Sequence, residues 1–262
     1  MFMKTALITG ASSGFGKEFA KIFAKDGYNL VITARSTDRL EKIKTQIEME
    51  YGVDVFVVTK DLSLPSAPQE IFDFTQQKGV HIDVLVNNAG FGDLGDFAKS
   101  DLSRQQQMID LNISALVKLT HLYLPAMLAK RDGKILNVAS VAAFAPGPGM
   151  SVYYASKAFV LSFSDALSTE LKGTGVTVTA LCPGPVNTGF AAAAGFKNSL
   201  LFSGKEDGKA AQVSRYGYSA MQKGKAVALP DMFVKAAALA VRLAPRKAAK
   251  AVIYAVQSSR KE

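Results

Sequence analysis

The sequence predicts an α/β fold: a three-layer, doubly wound parallel sheet in a single domain with a helical C-terminal extension. Six short segments are apolar on both alternations, as a strand covered on both faces must be. Between them lie segments with apolar residues at three- and four-residue spacing, the mark of a helix with one buried face. The two kinds alternate along the chain, which points to a parallel sheet with helices on both sides.

The first strand is "TALITG" (5–10), and "GKEFAKIFAKDG" (16–27) follows as a helix with Phe19, Ile22 and Phe23 on one face and a glycine stop. "NLVITA" (29–34) is the second strand. "STDRLEKIKTQIEMEYG" (36–52) opens on the capping residues Ser36 and Thr37 and buries Leu40, Ile43 and Ile47. "VDVFVVT" (53–59) is followed by "PSAPQEIFDFTQQKG" (65–79) on the same plan. "DVLVNN" (83–88), "GKILNV" (133–138) and "VTVTALC" (176–182) are further strands, and "KAVALP" (225–230) reads as the last. Residues 189–204, "GFAAAAGFKNSLLFSG", form an apolar insert that begins a loop-and-helix segment, 189–224, inside the 1–230 domain. Residues 231–262 form an amphipathic extension in which Pro245, Arg242, Arg246, Lys247 and Lys250 interrupt Ala, Val and Leu.

Composition bounds the function. A chain of 262 residues with 48% hydrophobic and 20% charged residues fits one sizeable globular core. No apolar run reaches the ~18 residues needed to span a bilayer, and "MFMKTALITG" shows no separate secretory region. With Cys182 as the one cysteine, a reducing, cytoplasmic setting is expected. His81 and His121 lack zinc-ligand spacing, so no metal is expected. The net charge is +9, but the basic residues are dispersed, which reads as a solvated surface rather than a nucleic-acid footprint.

The first strand ends in "TGASSGFGKEF", with Gly10, Gly14 and Gly16 at a strand-to-helix turn. Such a turn lets a diphosphate approach the backbone and meet the free N–H groups of a helix N-terminus. The spacing is G-x-x-x-G-x-G, not the usual G-x-G-x-x-G. The second strand ends "VITARSTDR", without the acid that binds an NAD ribose. Arg35 suits a 2′-phosphate instead, so the cofactor read here is NADP(H), with Ser12, Ser13 and Arg39 adding contacts. The plainer alternative is that Arg35 is only a solvated strand end. In "SVYYASKAF" (151–159), Tyr153 and Lys157 are four apart and share a helix face, while Tyr154 lies about 100° further round. Taken alone the stretch does not say which tyrosine works.

Together these stretches resemble the short-chain dehydrogenase/reductase family, in its single-domain, Rossmann-like branch. The resemblance rests on "TGASSGFG" (9–16), "DL" (61–62), "NNAG" (87–90), "LNISA" (111–115), "NVASVAA" (137–143), "YYASK" (153–157) and "PGPVNT" (183–188), in order. It implies a tetrad of Ser140, Tyr153, Lys157 and Asn112. Ser140 is the only hydroxyl of its segment, because Ala139 stands where many relatives carry a first serine. The chemistry agrees. A nearby ammonium would lower the phenol pKa from ~10. Tyr153 would then exchange a proton with a carbonyl or alcohol, Ser140 would stabilise the developing charge, and Asn112 would hold a water.

For the cofactor, the resemblance implies Gly10, Ser12, Ser13, Gly14, Phe15 and Gly16 at the diphosphate turn and Asp61 and Leu62 near the adenine. Asn88, Ala89 and Gly90 would lie along the ribose, and Pro183, Gly184, Val186 and Thr188 around the nicotinamide and diphosphate, with Asn87 bracing the sheet. It also implies a homodimer or homotetramer through helices at about 95–130 and 152–172.

The expected function is NADP(H)-dependent interconversion of a carbonyl and an alcohol on a hydrophobic substrate. Residues 141–150 and 189–204 are uncharged apart from Lys197, which favours an apolar compound. The alternatives are a 3-oxoacyl thioester reductase, whose acidic carrier the basic surface would attract, and a non-catalytic NADP(H)-binding regulator. Residues 231–258 suit either a peripheral membrane contact or a helix packed on the domain itself.

Overall fold

The computed structural model describes residues 3–186, 189–190 and 206–245, with the single positions 247, 251 and 253. Seven strands are present: β1 (Thr5–Thr9), β2 (Asn29–Ala34), β3 (Val55–Thr59), β4 (Val84–Asn87), β5 (Gly133–Val138), β6 (Val176–Leu181) and the short β7 (Val227–Ala228). All pair in parallel, in the order β3-β2-β1-β4-β5-β6-β7. Each expected strand is realised, β2 and β5 over the full expected range and the others trimmed at one or both ends.

The first three helices are α1 (Gly14–Lys25), α2 (Thr37–Tyr51) and α3 (Ala67–Gln77). Between β4 and β5 a longer run holds α4 (Leu102–Ile109), a π-helical turn (Asp110–Ala115) and α5 (Leu116–Lys130). Then come α6 (Ser151–Glu170), α7 (Glu206–Gln222) and α8 (Met232–Leu243).

The doubly apolar strands are explained by a core on each face of the sheet. On one face Ile8, Leu30 and Ile32 meet Phe19 and Phe23 of α1, Leu40 and Ile47 of α2 and Met221 of α7. On the other, Leu7, Val31, Leu85 and Ile135 meet Ile71 of α3, Leu119 and Met127 of α5 and Leu167 of α6. Neighbours such as Leu7 and Ile8 serve opposite cores, because successive side chains point to opposite faces.

From β1 the chain adds strands outward through β2 to β3, then returns to the other side of β1 for β4. This reversal opens a crevice at the carboxyl ends of β1 and β4, where such sheets bind ligands. Buried polar groups hold the strands beside it. Asn87 Nδ2 donates to Asn137 Oδ1 (2.9 Å) and Thr120 Oγ1 (3.2 Å), and Asn137 Nδ2 donates to Ser164 Oγ (2.9 Å). Asn87 therefore braces β4 to β5 and α5, and Asn137 extends the brace to α6.

Two apolar helices bear on the question of a membrane. Among the described residues, the run Leu102–Lys130 is long and apolar enough by composition to cross one, but Leu116, Leu119, Tyr123 and Met127 are buried inside the domain. α8 is N-capped by Asp231, whose Oδ1 accepts from Val234 N at 2.7 Å. It buries Val234 and Ala238 and packs on the turn Val141–Phe144, leaving Met232 and Leu239 exposed. The start of the extension is thus docked on its own domain. Arg246, Lys250, Lys197 and residues 191–205 lie outside the described residues.

Removing Asn137 leaves both Asn87 and Ser164 without their shared partner in a dry site. Asn137→Ala is expected to lower stability by about 1–3 kcal/mol, read as a lower urea midpoint at unchanged m-value.

Candidate active site

The glycine turn joins β1 to α1. Gly10 and Gly14 have φ of 65° and 52°, in the left-handed region that favours glycine. A Cβ on Gly10 would lie 2.9 Å from Asn88 Nδ2 and 3.0 Å from Ala89 Cα, and one on Gly16 only 2.3 Å from Gly10 O. Ser13, at the N-cap of α1, makes no side-chain capping bond, and no acid stands in the first turn. The turn is therefore an uncapped helix N-terminus with backbone close to the surface, which fits a dinucleotide diphosphate. Ser12 is half-buried and Ser13 exposed, while Phe15 packs partly against the core.

A residue outside the expected set holds this turn. Thr9 Oγ1 accepts the N–H groups of Asn88 and Ala89, both at 2.9 Å. In return Asn88 Nδ2 donates to Thr9 O (2.8 Å) and Gly10 O (3.3 Å). The expected ribose-lining amide of Asn88 is thus committed to a cross-link between the ends of β1 and β4. Gly90 follows, where a Cβ would come within 2.9 Å of Asn112 Oδ1 and 3.5 Å of Lys157 Nζ.

At the end of β2, the Arg35 side chain is 78% exposed, with its Nη1 3.9 Å from Asp61 Oδ2. Asp61 Oδ1 already accepts from Ser63 N (3.0 Å) and Ser63 Oγ (2.8 Å). Arg39 is exposed on α2. The Leu62 side chain is buried in the core, which leaves its backbone as the part that could face an adenine. Beyond β6, Pro183 O accepts from Val141 N at 2.9 Å, and a Cβ on Gly184 would lie 3.1 Å from Val234 Cγ2. Val186 packs in the core, and Thr188 lies outside the described residues.

The four tetrad residues come together at the carboxyl edge. Ser140 caps the turn after β5, its Oγ accepting from Ala142 N at 3.1 Å, and its hydroxyl is near enough to the Tyr153 phenol to favour the ionised form. Lys157, one helical turn beyond Tyr153, sits 5.8 Å from the Tyr153 ring centroid and donates to Val138 O at 2.8 Å. Asn112 lies in the π-helical turn, a wider winding that often marks functional sites. Its Oδ1 accepts from Phe91 N (3.1 Å), and its Nδ2 donates to Phe91 O and Ser156 Oγ (both 3.0 Å). Ser156 Oγ in turn donates to Tyr153 O at 2.7 Å. Asn112 thus ties the loop after β4 to the start of α6 through its side chain.

The electrostatics depart from expectation. Tyr153 keeps some exposed surface, but dense packing around its hydroxyl pushes the phenol up to about 12, with the Ser140 hydroxyl pulling the other way. Lys157 does not bring it down: the ammonium is spent on a β5 carbonyl, and its own burial lowers it to about 8. The Tyr154 ring lies against Gly147, where a Cβ would stand 2.3 Å from it. His81 and His121 are exposed, and no cluster of His, Cys, Asp or Glu suited to a metal is found among the described residues.

A family model described as short chain dehydrogenase matches residues 4–198. Sulfoacetaldehyde reductase 2 of Chromohalobacter salexigens is 40% identical over 186 residues, 70% of this chain and 73% of its own. A very-long-chain 3-oxoacyl-CoA reductase of Anas platyrhynchos is 37% identical over 188 residues, 68% of this chain but only 58% of that longer protein. Among solved structures, a short-chain dehydrogenase from Sphingobium yanoikuyae in complex with NADPH matches with a TM-score of 0.82 and 32% identity over 92% of each chain. A short-chain dehydrogenase/reductase from Burkholderia phymatum in complex with NAD matches at 0.80 and 28%, over 93% of this chain and 94% of its own.

Lys157 holds its proton less tightly in the folded chain, at about 8, than at the ordinary 10.5. The folded state then carries fewer protons than the unfolded one between these values, so stability rises with pH across that window. Relative to Lys157→Met, the wild type should gain up to about 3 kcal/mol from pH 7 to 10.5. Chemical denaturation of both proteins across this range checks it; a gap independent of pH would show that Lys157 is not desolvated.

Proposed function

The chain belongs to the short-chain dehydrogenase family, and from that premise we propose that it is an NADP(H)-dependent oxidoreductase interconverting a carbonyl and an alcohol on a hydrophobic substrate. The observation that carries this reading is the gathering of the Tyr153 phenol, the Ser140 hydroxyl and Lys157, the last on the same helix face as Tyr153, at the sheet edge that also holds the glycine turn. A non-catalytic regulator has no need of such a set.

The bound nicotinamide supplies or accepts the hydride. In the reducing direction, Tyr153 Oη gives its proton to the carbonyl oxygen as that oxygen gains charge. Ser140 Oγ donates to the same oxygen, favouring the transition state over the neutral carbonyl. Tyr153 is left as a phenolate in a densely packed site, and the Lys157 ammonium near its ring offsets that charge. Lys157 would also hold the nicotinamide ribose, and Asn112, through Phe91 and Ser156, keeps the parts in register. In oxidation the proton moves back from the alcohol to the phenolate.

Arg35 supports NADP(H) over NAD(H). No carboxylate stands at the end of β2 itself, and the exposed Arg35–Asp61 contact at 3.9 Å is weak enough to yield to a phosphate. The free, buried Cys182 fits a reducing compartment such as the cytoplasm. Phe159, 40% exposed and stacked on Phe163 along α6, supports a second copy of the chain covering this face in a homo-oligomer.

Tyr153→Phe is expected to lower kcat at least a thousandfold, the scale of a lost general acid with its hydrogen bonds, while NADPH binding by fluorescence stays within a few-fold. Tyr154→Phe should keep most turnover, and the reverse pattern would overturn the assignment. For the cofactor, the wild type should bind NADPH at least tenfold more tightly than NADH. Arg35→Asp should reduce or invert that ratio, and a wild-type preference for NADH would refute the reading.

A further inference from the structure

We propose that Phe190 is a specificity-determining residue of this site: its ring lies on Tyr153 and sets how large an apolar group can sit beside the reacting carbonyl. The inference rests on the carbonyl–alcohol reading above. The Phe190 and Tyr153 ring centroids are 5.2 Å apart with planes inclined by 48°. The ring is held there by a gap in the opposite wall. A Cβ on Gly92 would lie 2.7 Å from Phe190 Cζ, 3.0 Å from Met150 Cε and 3.2 Å from Tyr153 Cδ2. Gly92 therefore lets the three side chains converge, and Phe190 fills the space that any larger residue at 92 would take.

The Gly92 side of this wall is fixed. Asn112 binds both backbone groups of Phe91. Two residues on, the Asp93 carboxylate accepts from Arg104 Nε (2.7 Å) and Gln105 Nε2 (2.8 Å), and Gly95 N donates to Gly149 O at 2.9 Å. Asp93 is thereby turned to α4, and Gly92, Met150 and Phe190 present no charge to the phenol. A substituent larger than the space left beside the Phe190 ring, a second phenyl group included, must displace that ring to sit on this side. The same ring contributes to the packing that raises the Tyr153 phenol.

The test is a series of phenyl ketones whose second substituent grows from methyl through propyl to phenyl, assayed with NADPH. Phe190→Ala should raise kcat/KM for the diphenyl ketone relative to the methyl ketone by about tenfold or more, carried mainly by KM. Phe190→Tyr keeps an aromatic ring and should keep the wild-type ratio within about twofold. An unchanged ratio in Phe190→Ala overturns the proposal. If the wild type binds NADPH but reduces no carbonyl compound, the functional reading fails, and the ring contact is then judged without substrate. Ultraviolet difference titration against matched Tyr153→Phe backgrounds reads the Tyr153 phenol alone. It should ionise at lower pH in Phe190→Ala than in wild type, and an identical titration would show that Phe190 does not cover it.

Discussion

A sheet whose strands all run one way, with helices on both faces, can meet a ligand only at its ends, and the seam between β1 and β4 decides where. Strand order reverses there, so the connections leave on opposite faces and the carboxyl ends stand uncovered. That seam must also hold together without a helix across it. Thr9 and Asn88 do this by exchanging two hydrogen bonds just beyond the last paired residues, with Ala89 N also donating to Thr9 Oγ1 and Asn88 Nδ2 reaching on to Gly10 O. The crowding that excludes a Cβ from Gly10 follows directly from this exchange. The glycine turn and the "NNAG" stretch, far apart in sequence, are therefore two halves of one joint.

The buried pair on α6 follows a second constraint. Dense packing favours the neutral form of any titratable group, so it raises the Tyr153 phenol and lowers the Lys157 amine. The two shifts share one cause and run in opposite directions on the pH scale. At neutral pH the lysine remains mostly charged while the tyrosine holds its proton. That is the protonation state the proposed general acid would need to give a proton to a carbonyl oxygen, with the ammonium nearby for the phenolate that would result. The cost is a buried cation satisfied by a single backbone carbonyl, tolerable because Val138 O lies 2.8 Å away.

Most of the architecture was legible because its signals are local. Strands apolar on both alternations could only be covered on both faces, and Leu7 and Ile8 indeed serve opposite cores. That Tyr153 and Lys157 share a helix face was legible from their four-residue step, whereas Ser140 and Asn112 were singled out only by the family resemblance. What escaped depends on contacts that no spacing encodes. The role of Thr9 comes from a partner 79 residues away, and Leu62 turns inward because Val58 and Ile71 leave it a core position. The π-helical turn at Asn112 showed no propensity signal, and its side chain faces Phe91 and Ser156 only because three elements converge there. The expectation that Lys157 would lower the Tyr153 pKa failed for a related reason: charge and distance were foreseen, but not the desolvation or the competing carbonyl.

The two sides of the crevice differ in what they ask of the chain. A diphosphate and two riboses make their demands on backbone, so the cofactor side is built from glycines, a helix terminus and small hydroxyls whose identity is tightly limited by space. The substrate side asks for volume and polarity, which many side chains can supply. Its loops follow β4, β5 and β6, and α8 packs against the turn after Ser140. Gly92 belongs to both regimes: it is a glycine because of crowding, yet what crowds it are the side chains of Phe190, Met150 and Tyr153. A substitution at a wall position such as Phe190 can therefore change the space beside Tyr153 without altering the backbone turn that the glycines define.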